Sequence, residues 1–309
     1  MENIIIIGSG CAGWTAALYT ARANLKPLLL TGAQPGGLLT TTSIVENYPG
    51  FPEGVDGTEL MMRMQQQAEH FGTTTEYGIN ITKVDFNSRP FKLWADDQLF
   101  EARAVIIAVG ASHRHIGLTS EEKLERKGVT YCATCDGALP TFRNQPLIVV
   151  GGGDSACEEA HYLTHFASRV YLVHRRNELR ASKIMAERVL HHPKIEMVWD
   201  SVVQDILDVA QDKVTAVLLR NVKTNAVREL PCAGVFVAIG HVPSTKIFAG
   251  QIEMDGDGYI FCRQGTYTNI PGVFAAGDCV DRVYRQAITA AGSGCAAAID
   301  AERWLSANP

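Results

Sequence analysis

The chain has 309 residues, 46% of them hydrophobic, and a formal net charge of −5 at pH 7. A chain of this length can form about two domains, each with a substantial core. The small acidic excess offers no positive field to a nucleic-acid backbone. No apolar run approaches the ~20 residues that span a bilayer. Nucleic acid and membrane are therefore not expected as partners.

Eight cysteines are scattered along the chain, unlike the dense disulfide framework of a small secreted protein. No charged and then apolar leader precedes the first apolar run, which starts at Ile4. We therefore expect a cytoplasmic protein. Six cysteines lack a partner at CxxC spacing and are interpreted as structural: Cys11, Cys157, Cys232, Cys262, Cys279 and Cys295.

The first thirty residues have the pattern of a strand, a glycine turn, a helix and a second strand. Apolar runs predict strands at 4–7 and 27–30, and an alanine-rich segment predicts a helix over 12–24. Between the first strand and the helix, Gly8-Ser9-Gly10-Cys11-Ala12-Gly13 matches G-x-G-x-x-G. Such glycines let a pyrophosphate approach the N–H groups that open a helix. A purely structural glycine turn is the alternative.

An acidic residue usually follows a dinucleotide-binding turn by about 20 positions and binds the ribose hydroxyls. Thr31 stands at that place, at the end of the second predicted strand. The ribose of a bound nucleotide must therefore be held in another way.

Residues 32–110 follow this first pattern. Residues 32–57 are rich in glycine and proline and predict a long irregular stretch. A helix is predicted over 57–71, and short antiparallel strands over 79–109 end in the buried-looking strand 104–110.

The pattern of the first thirty residues then restarts. A predicted strand at 147–150 leads into Gly151-Gly152-Gly153-Asp154-Ser155-Ala156, which has alanine at the last glycine position. A helix over 155–166 and a strand at 170–173 follow, and a buried-looking strand at 235–240 matches the one at 104–110. The chain therefore contains two copies of one nucleotide-binding plan.

The second copy is most simply interpreted as an insertion into the first. A further strand and turn at 272–278 extend the first copy. We therefore predict an α/β fold with two Rossmann-like nucleotide-binding domains. Residues 1–112 and 244–309 would form one domain, and residues 113–243 the inserted one.

Cations follow the second strand of the inserted copy. His174-Arg175-Arg176 stands where a protein that binds NAD(H) has an acidic residue. Guanidinium groups can hold a 2′-phosphate through paired hydrogen bonds, so this site is predicted to prefer NADP(H). Arg180 and Lys183 are close enough in sequence to add charge. A solvated basic patch is the alternative.

Cys132-Ala133-Thr134-Cys135 is the one CxxC of the chain, and Asp136 follows it. Two thiols at this spacing can exchange two electrons as a disulfide. A zinc site would need two more ligands. His161 and His165 are four positions apart on a predicted helix, but 25 residues separate Cys135 from His161, more than zinc-finger spacings have. Inert packing is a third interpretation. The pattern favours a redox dithiol, beside which Asp136 is either a proton carrier or an ordinary turn residue.

The order of these motifs, across essentially the whole chain, resembles that of the low-molecular-weight thioredoxin reductases of bacteria and plants. Gly36-Gly37-Leu38-Leu39-Thr40-Thr41-Thr42 and Val45-Glu46-Asn47-Tyr48-Pro49-Gly50 are similar to the flavin loop of that family. Gly277-Asp278 and Tyr284-Arg285-Gln286-Ala287 are similar to its second flavin signature. In this family Thr31-Gly32 in place of an acid is not unusual.

The resemblance implies FAD in the first domain, NADPH in the inserted domain, a homodimer, and thioredoxin as substrate. It implies that Cys135 lies nearer the flavin, that Cys132 attacks the disulfide of thioredoxin, and that Asp136 carries the proton. The expected FAD contacts are Gly8, Ser9, Gly10, Ala12, Gly13, Thr31, Gly32, Gly36, Gly37, Leu38, Thr42, Asn47, Val84, Gly110, Gly277, Asp278, Arg285, Gln286 and Ala287. The expected NADPH contacts are Gly151, Gly153, Asp154, Ser155, Ala156, His174, Arg175, Arg176, Arg180, Ile239 and Gly240. No metal is expected.

Two residues depart from the family pattern. Leu38 replaces a glutamine of the flavin loop, and Val109 replaces the threonine of an Ala-Thr-Gly turn. Either change can alter hydrogen bonding around FAD.

Rival functions are distinguished by single features. A peroxiredoxin-reducing relative usually carries an extra N-terminal redox domain, which we do not expect here because the first glycine loop begins at Gly8. Ferredoxin–NADP reductases lack the CxxC. Thioredoxin reductases that receive electrons from ferredoxin or from a free flavin usually lack the arginines that bind the NADPH phosphate, which correspond here to Arg175, Arg176 and Arg180. A non-catalytic redox sensor would not need two nucleotide sites together with a dithiol.

Overall fold

The computed structural model describes residues 1–41 and 44–309. They form two compact units, Met1–Ser112 with Val242–Pro309 and His113–His241. The unit boundaries therefore lie at 112/113 and 241/242, beside the domain boundaries expected from the sequence at 112/113 and 243/244. The predicted α/β class is confirmed.

Up to the first crossing, the strands are β1 (Glu2–Ile7), β2 (Leu28–Leu30), β3 (Ile44–Val45), β4 (Val55–Asp56), β5 (Thr74–Glu76), β6 (Lys83–Asp85), β7 (Phe91–Ala95), β8 (Gln98–Ile107) and β9 (Ala111–His113). The helices of this segment are α1 (Cys11–Arg22) and α2 (Gly57–His70). Short 3-10 turns occur as well, among them Gly37–Thr41.

The main sheet of this unit has the order β5-β2-β1-β8-β7-β6. The strands β5, β2, β1 and β8 run parallel, while β7 and β6 are antiparallel. All of Ile4–Ile7 is buried, because α1 covers one face of the parallel sheet and a second apolar cluster covers the other. This arrangement places the end of β1 at the first glycine turn.

In the second unit the strands are β10 (Val129–Thr130), β11 (Pro146–Gly151), β12 (Arg169–Val173), β13 (Ile195–Val198), β14 (Ser201–Ile206), β15 (Ala216–Asn221), β16 (Val227–Pro231) and β17 (Gly234–Ala238), and β18 (His241–Pro243) lies at the second crossing. Its helices are α3 (Thr119–Leu124), α4 (Ala133–Asp136), α5 (Asp154–Leu163) and α6 (Lys183–Leu190). The last segment, which returns to the first unit, contains β19 (Val273–Ala275) and α7 (Ala287–Ala307).

The second unit repeats the strand plan of the first. Its parallel sheet has the order β10-β17-β11-β12-β13, and β14-β15-β16 form a separate antiparallel sheet. β11 lies between β12 and β17, as β1 lies between β2 and β8. The internal repeat predicted from the sequence is therefore present in three dimensions. The strands β9 and β18, at the two crossings, pair with each other.

Three details differ from the sequence prediction. The segment 32–57 contains a small antiparallel hairpin, β3 with β4, because its glycines and prolines occupy the connection rather than the strands. α1 ends before Asn24, which has a positive φ of 60°. α5 ends before His165, because three successive i to i+3 backbone bonds tighten the chain up to Phe166.

Small residues bring α7 against α1. A Cβ on Gly294 would lie 2.1 Å from the carbonyl oxygen of Ala12, so only glycine permits this approach. The contact brings the C-terminal segment to the first glycine turn. Across residues 1–41 and 44–309, no helix combines the length and apolar character needed to cross a membrane.

Candidate active site

The glycines of the first turn have two different roles. A Cβ on Gly8, whose φ is +103°, would lie 2.3 Å from the carbonyl oxygen of Ala108, and one on Gly13 would lie 1.9 Å from that of Gly8. These two positions are therefore required by the fold itself. Among residues 1–41 and 44–309, no atom lies within 4 Å of a Cβ on Gly10. Gly10 leaves open space at the start of α1, where a pyrophosphate can reach the helix N–H groups.

The second turn repeats this division of roles. A Cβ on Gly151 would lie 2.4 Å from the carbonyl oxygen of Ala238, and one on Gly152 would meet the ring of His174 at 2.2 Å. Gly153, the counterpart of Gly10, has no atom of the described part of the chain within 4 Å of its Cβ position. Ala156, at the last position of the motif, is fully buried. Both turns therefore combine a packed glycine with an open one, which fits a ligand at each.

The buried hydroxyl groups of Ser9 and Thr31 link the first glycine turn to neighbouring loops. Ser9 donates to the carbonyl of Thr31 (3.0 Å) and accepts from the N–H of Gly36 (3.0 Å). The hydroxyl of Thr31 accepts from the N–H of Gly78 at 3.0 Å. A Cβ on Gly37 would lie 3.6 Å from Cα of Gly10, so the paired glycines lie against the turn. The side chains of Ser9 and Thr31 thus hold the loop, and a nucleotide would meet backbone groups here.

Asp278 brings a buried carboxylate oxygen to the same turn. A Cβ on Gly277 would lie 2.9 Å from that of Ala12, so this segment touches the start of α1. Among the described residues, the buried Oδ1 of Asp278 has no hydrogen-bond partner. Burial, reinforced by Asp281, raises the pKa of Asp278 to about 6. A buried acceptor without a donor fits a ligand hydroxyl, such as those of the ribityl chain of a flavin.

The remaining expected FAD contacts fall into three groups. Asn47 donates to the side-chain oxygen of Gln286 at 3.2 Å, which joins the flavin loop to the start of α7 at Ala287. The side chain of Val84 is buried in the cluster on the face of the sheet opposite α1, so only its backbone can serve a ligand. Positive φ angles shape the chain at Gly32, Gly110 and Arg285.

Three positions of the expected FAD site remain. Leu38 and Val109 are the two departures from the family pattern, and Thr42 is an expected contact. Leu38 is half-buried in the 3-10 turn, and its carbonyl accepts from the hydroxyl of Thr41 at 2.7 Å. Val109 packs against the core beneath the sheet. Thr42, an expected FAD contact, lies outside the described residues.

Three arginines surround a cleft in the second unit. Arg175, Arg176 and Arg180 line a cavity of about 330 Å³. All three are exposed, and within residues 1–41 and 44–309 their side chains form no hydrogen bond and no ion pair with a carboxylate. The N–H of Arg180 donates to the carbonyl of Gly152 at 2.7 Å, which ties the arginine loop to the glycine turn. The cleft therefore presents free guanidinium groups beside the predicted pyrophosphate position.

His174 supports the second glycine turn. It is 5% exposed, and its Nε2 is without a hydrogen-bond partner among the described residues. Burial lowers the pKa of His174, so the ring is neutral at pH 7. Asp154 accepts from the N–H of Ser182 at 2.9 Å. Lys183 lies beyond that bond, at the start of α6, and is not among the residues that line the cleft.

The other end of the expected NADPH site lies after β17. Ile239 is half-buried. Gly240 has a φ of +104°, and its carbonyl accepts from the N–H of Arg114 at 3.0 Å. Ser155 is half-buried in the first turn of α5.

Cys132 and Cys135 form a disulfide at the start of α4, with their Cα atoms 5.3 Å apart. The N–H of Cys135 donates to Sγ of Cys132 at 3.2 Å. Such a donor stabilises a thiolate on that sulfur once the disulfide is reduced. The predicted redox interpretation of the CxxC motif is confirmed.

Asp136 lies in the same short helix, half-buried beside the disulfide. Its Oδ2 accepts from the hydroxyl of Thr130, at the end of β10. Burial raises the pKa of Asp136, and the hydrogen bond from Thr130 opposes that shift. A carboxyl group with a raised pKa holds a proton closer to neutral pH than an ordinary aspartate. Asp136 can therefore donate as well as accept.

Sequence patterns did not reveal the residues that anchor the CxxC motif. Glu121 is fully buried and accepts from the N–H groups of Ile116 (3.0 Å) and Gly117 (2.8 Å). It also accepts from the hydroxyl of Tyr131 at 3.2 Å. Tyr131 precedes Cys132 directly, so a buried carboxylate holds the entry to the motif. In the sequence, Tyr131 directly before the CxxC motif was the one signal of this anchor.

The other cysteines are free thiols. Cys11, Cys157, Cys232 and Cys279 are buried, whereas Cys262 and Cys295 are half-buried. Burial raises the pKa of Cys11 to about 12, so desolvation outweighs the field at the start of α1. Burial likewise raises the pKa of Cys157 and Cys262 to about 11, and that of Cys232 and Cys279 to about 12. These five thiols are protonated at neutral pH and poorly nucleophilic.

Comparison with known proteins identifies the class first. The family model described as pyridine nucleotide-disulphide oxidoreductase matches residues 2–294. This family joins the two features that the structure shows, a redox disulfide and a repeated glycine-turn fold.

Individual thioredoxin reductases also match almost the whole length of this chain. The thioredoxin reductase of Rickettsia conorii is 50% identical to this chain, over 98% of both sequences. A protein of Arabidopsis thaliana named thioredoxin reductase 1, mitochondrial, is 50% identical over 98% of this chain and 84% of its own length. The crystal structure of thioredoxin reductase from Streptococcus pyogenes matches with a TM-score of 0.93 and 43% identity, covering 99% of each chain. The chain belongs to the low-molecular-weight thioredoxin reductases.

Proposed function

We propose that this thioredoxin-disulfide reductase takes electrons from NADPH and passes them through FAD and the Cys132–Cys135 disulfide to oxidised thioredoxin. The observation that carries the proposal is the closed CxxC disulfide in a unit that also presents three exposed arginines on one cleft. The disulfide accepts two electrons, and the arginines select the nucleotide that supplies them.

Residues 1–112 and 244–309 are proposed to hold FAD. The open face of Gly10 would accept the pyrophosphate, and the unpaired oxygen of Asp278 would accept a flavin hydroxyl. When bound, FAD supplies two-electron chemistry between nicotinamide and sulfur. The chain itself would orient FAD through the loop at Gly36, which Ser9 holds, and through the start of α7.

Residues 113–243 are proposed to hold NADPH. The open face of Gly153 would accept its pyrophosphate, and Arg175, Arg176 and Arg180 would bind its 2′-phosphate. A guanidinium group suits a phosphate because its N–H groups match two phosphate oxygens at once. Ile239 and Gly240, which follow β17 directly, would be next to the nicotinamide half.

The sulfur chemistry is assigned to the two cysteines in the order that the resemblance implies. After reduction, the Cys132 thiolate, stabilised by the Cys135 N–H, attacks one sulfur of the thioredoxin disulfide and releases the other as a thiolate. Cys135 then attacks Sγ of Cys132, which restores the intramolecular disulfide and frees reduced thioredoxin. Asp136 supplies the proton that the leaving thiolate needs.

Asp136→Asn tests this proton role. We expect kcat for thioredoxin reduction to fall about 100-fold, while reduction of the flavin by NADPH is unchanged. In the parent enzyme, activity limited by proton donation falls as pH rises through the raised pKa of Asp136, and the variant lacks this decline. Thr130→Val should move the decline to higher pH, because it removes the bond that lowers this pKa. A pH–rate profile of D136N identical to that of the parent would contradict the assignment.

Nucleotide choice is tested by replacing Arg175 and Arg176 together with methionine. Without the two guanidinium groups we expect KM for NADPH to rise about 100-fold and KM for NADH to change little. Anaerobic titration with each nucleotide, followed by oxidised thioredoxin, measures both transfers. Failure of NADPH to bleach the flavin of the parent enzyme would favour a ferredoxin-type reductase instead.

A homodimer and a cytoplasmic location belong to the same proposal. Tyr19, Met62, Phe71 and Tyr77 are large side chains of the first unit that are at least 39% exposed, and a second copy of the chain would cover them. The six free thiols suit a reducing compartment.

A further inference from the structure

A lysine outside every sequence motif lies on the arginine cleft. The cleft is lined by residues 175–180 together with Asp200, Val222 and Lys223. Lys223 belongs to the turn between β15 and β16, more than forty positions after the arginines. Its side chain is 60% exposed, so its ammonium group is accessible to a ligand in the cleft.

Asp200 joins the lysine turn to the arginine loop. Its Oδ2 accepts from Nζ of Lys223 at 2.9 Å, and its N–H donates to the carbonyl of Arg176 at 3.2 Å. The N–H of Val222 donates to the carbonyl of Asp200 at 2.7 Å. These bonds hold Lys223 over the cleft before any ligand arrives.

The turn that carries Lys223 is itself well fixed. Oδ1 of Asn221 accepts from the N–H groups of both Lys223 and Thr224, each at 3.0 Å. Asn221 and Ala226 close the hairpin through a backbone bond of 2.9 Å. A fixed turn reduces the entropy lost when the lysine binds an anion.

The charges around the cleft suit a phosphate monoester. The lining contains four cations, together with the carboxylates of Glu178 and Asp200, so its net charge is +2. A phosphate monoester carries about −1.5 to −2 at pH 7. The Lys223 side chain is 60% exposed, so solvent screens its pair with Asp200. The ammonium group can therefore shift toward a phosphate in the cleft while the backbone bonds keep its turn in place.

We propose that Lys223 is a specificity-determining residue of the nucleotide site. It donates to the 2′-phosphate that distinguishes NADPH from NADH, together with the arginines of the same cleft. The inference rests on the proposed function, because it assumes that the arginine cleft binds the adenosine end of NADPH.

Isothermal titration of the full-length protein with adenosine 2′,5′-bisphosphate and with AMP tests the role without any redox step. Lys223→Met should weaken binding of the bisphosphate about five-fold and leave AMP binding unchanged. Lys223→Arg, which keeps the charge, should restore most of the loss. Lys213→Met is the matched control, since Lys213 is exposed in the same unit and does not line the cleft. KM for NADPH and for NADH should follow the same pattern.

Arg176→Met separates the two levels of the proposal. If R176M keeps the preference for bisphosphate over AMP, the arginine cleft is not the phosphate site and the proposed use of NADPH fails. If R176M loses that preference while K223M behaves like K213M, the inference about Lys223 alone is overturned. Equal weakening of bisphosphate and AMP by K223M would also overturn it, because that result indicates a structural defect.

Discussion

Cys135→Ser should lower kcat for thioredoxin reduction by at least about 1000-fold, because serine cannot close the disulfide with Cys132 that accepts two electrons. The hydroxyl group is close in size to the thiol, so the fold of α4 is expected to persist. The visible spectrum of bound flavin and its anaerobic reduction by NADPH should both remain. Stopped-flow absorbance and steady-state turnover measure the two halves of the reaction separately.

A free thiol provides the control for this variant. Cys295 is half-buried on α7 and forms no disulfide, so Cys295→Ser should keep the parent turnover. Substantial thioredoxin reduction by C135S would remove the assigned electron route. Loss of flavin binding in C135S would instead show that the first unit needs the CxxC motif to keep its structure, although the motif lies in the second unit.

Asp278→Asn should change stability and flavin binding in opposite directions. The pKa of Asp278 is raised from 3.8 to about 6 in the folded protein. Between these values the folded state holds more protons than the unfolded one, so the free energy of unfolding falls as pH rises. The shift corresponds to a loss of about 2 to 3 kcal/mol by pH 7. Flavin-free D278N, which carries no charge there, should avoid this loss.

Flavin affinity should respond in the other way. The carboxylate of Asp278 is the stronger acceptor for a flavin hydroxyl, so D278N should bind FAD about ten-fold more weakly. Chemical unfolding of the flavin-free protein at pH 4 and pH 7, with FAD titration at pH 7, measures both effects. Asp257→Asn, at an exposed carboxylate of the same unit, should alter neither. Unchanged FAD affinity in D278N would show that Oδ1 of Asp278 does not meet the cofactor.

Local sequence predicted the turns, the strands around them and the redox motif. The repeat of a strand, glycines and a helix was recognisable because these backbone conformations depend on neighbouring residues. The histidine and arginines after β12 were placed by the same local logic. Helix ends were less exact, since α5 closes before His165 through backbone bonds that no residue type announces.

Residue type did not reveal which groups become buried. Ser9 and Thr31 are predicted FAD contacts, and the structure shows that their hydroxyl groups also hold neighbouring loops. The buried carboxylate of Glu121 beneath Tyr131 was not anticipated. Both outcomes depend on which distant segments pack together.

The sequence by itself determined the two nucleotide turns, the CxxC motif and the cationic strand end, because each is encoded within about ten consecutive residues. The tertiary structure decided how distant residues meet. It placed Gly277 against Ala12, Tyr131 on Glu121 and Lys223 on Asp200. Desolvation and long-range hydrogen bonding exist only in the folded chain, and they set the protonation of Asp136 and Asp278.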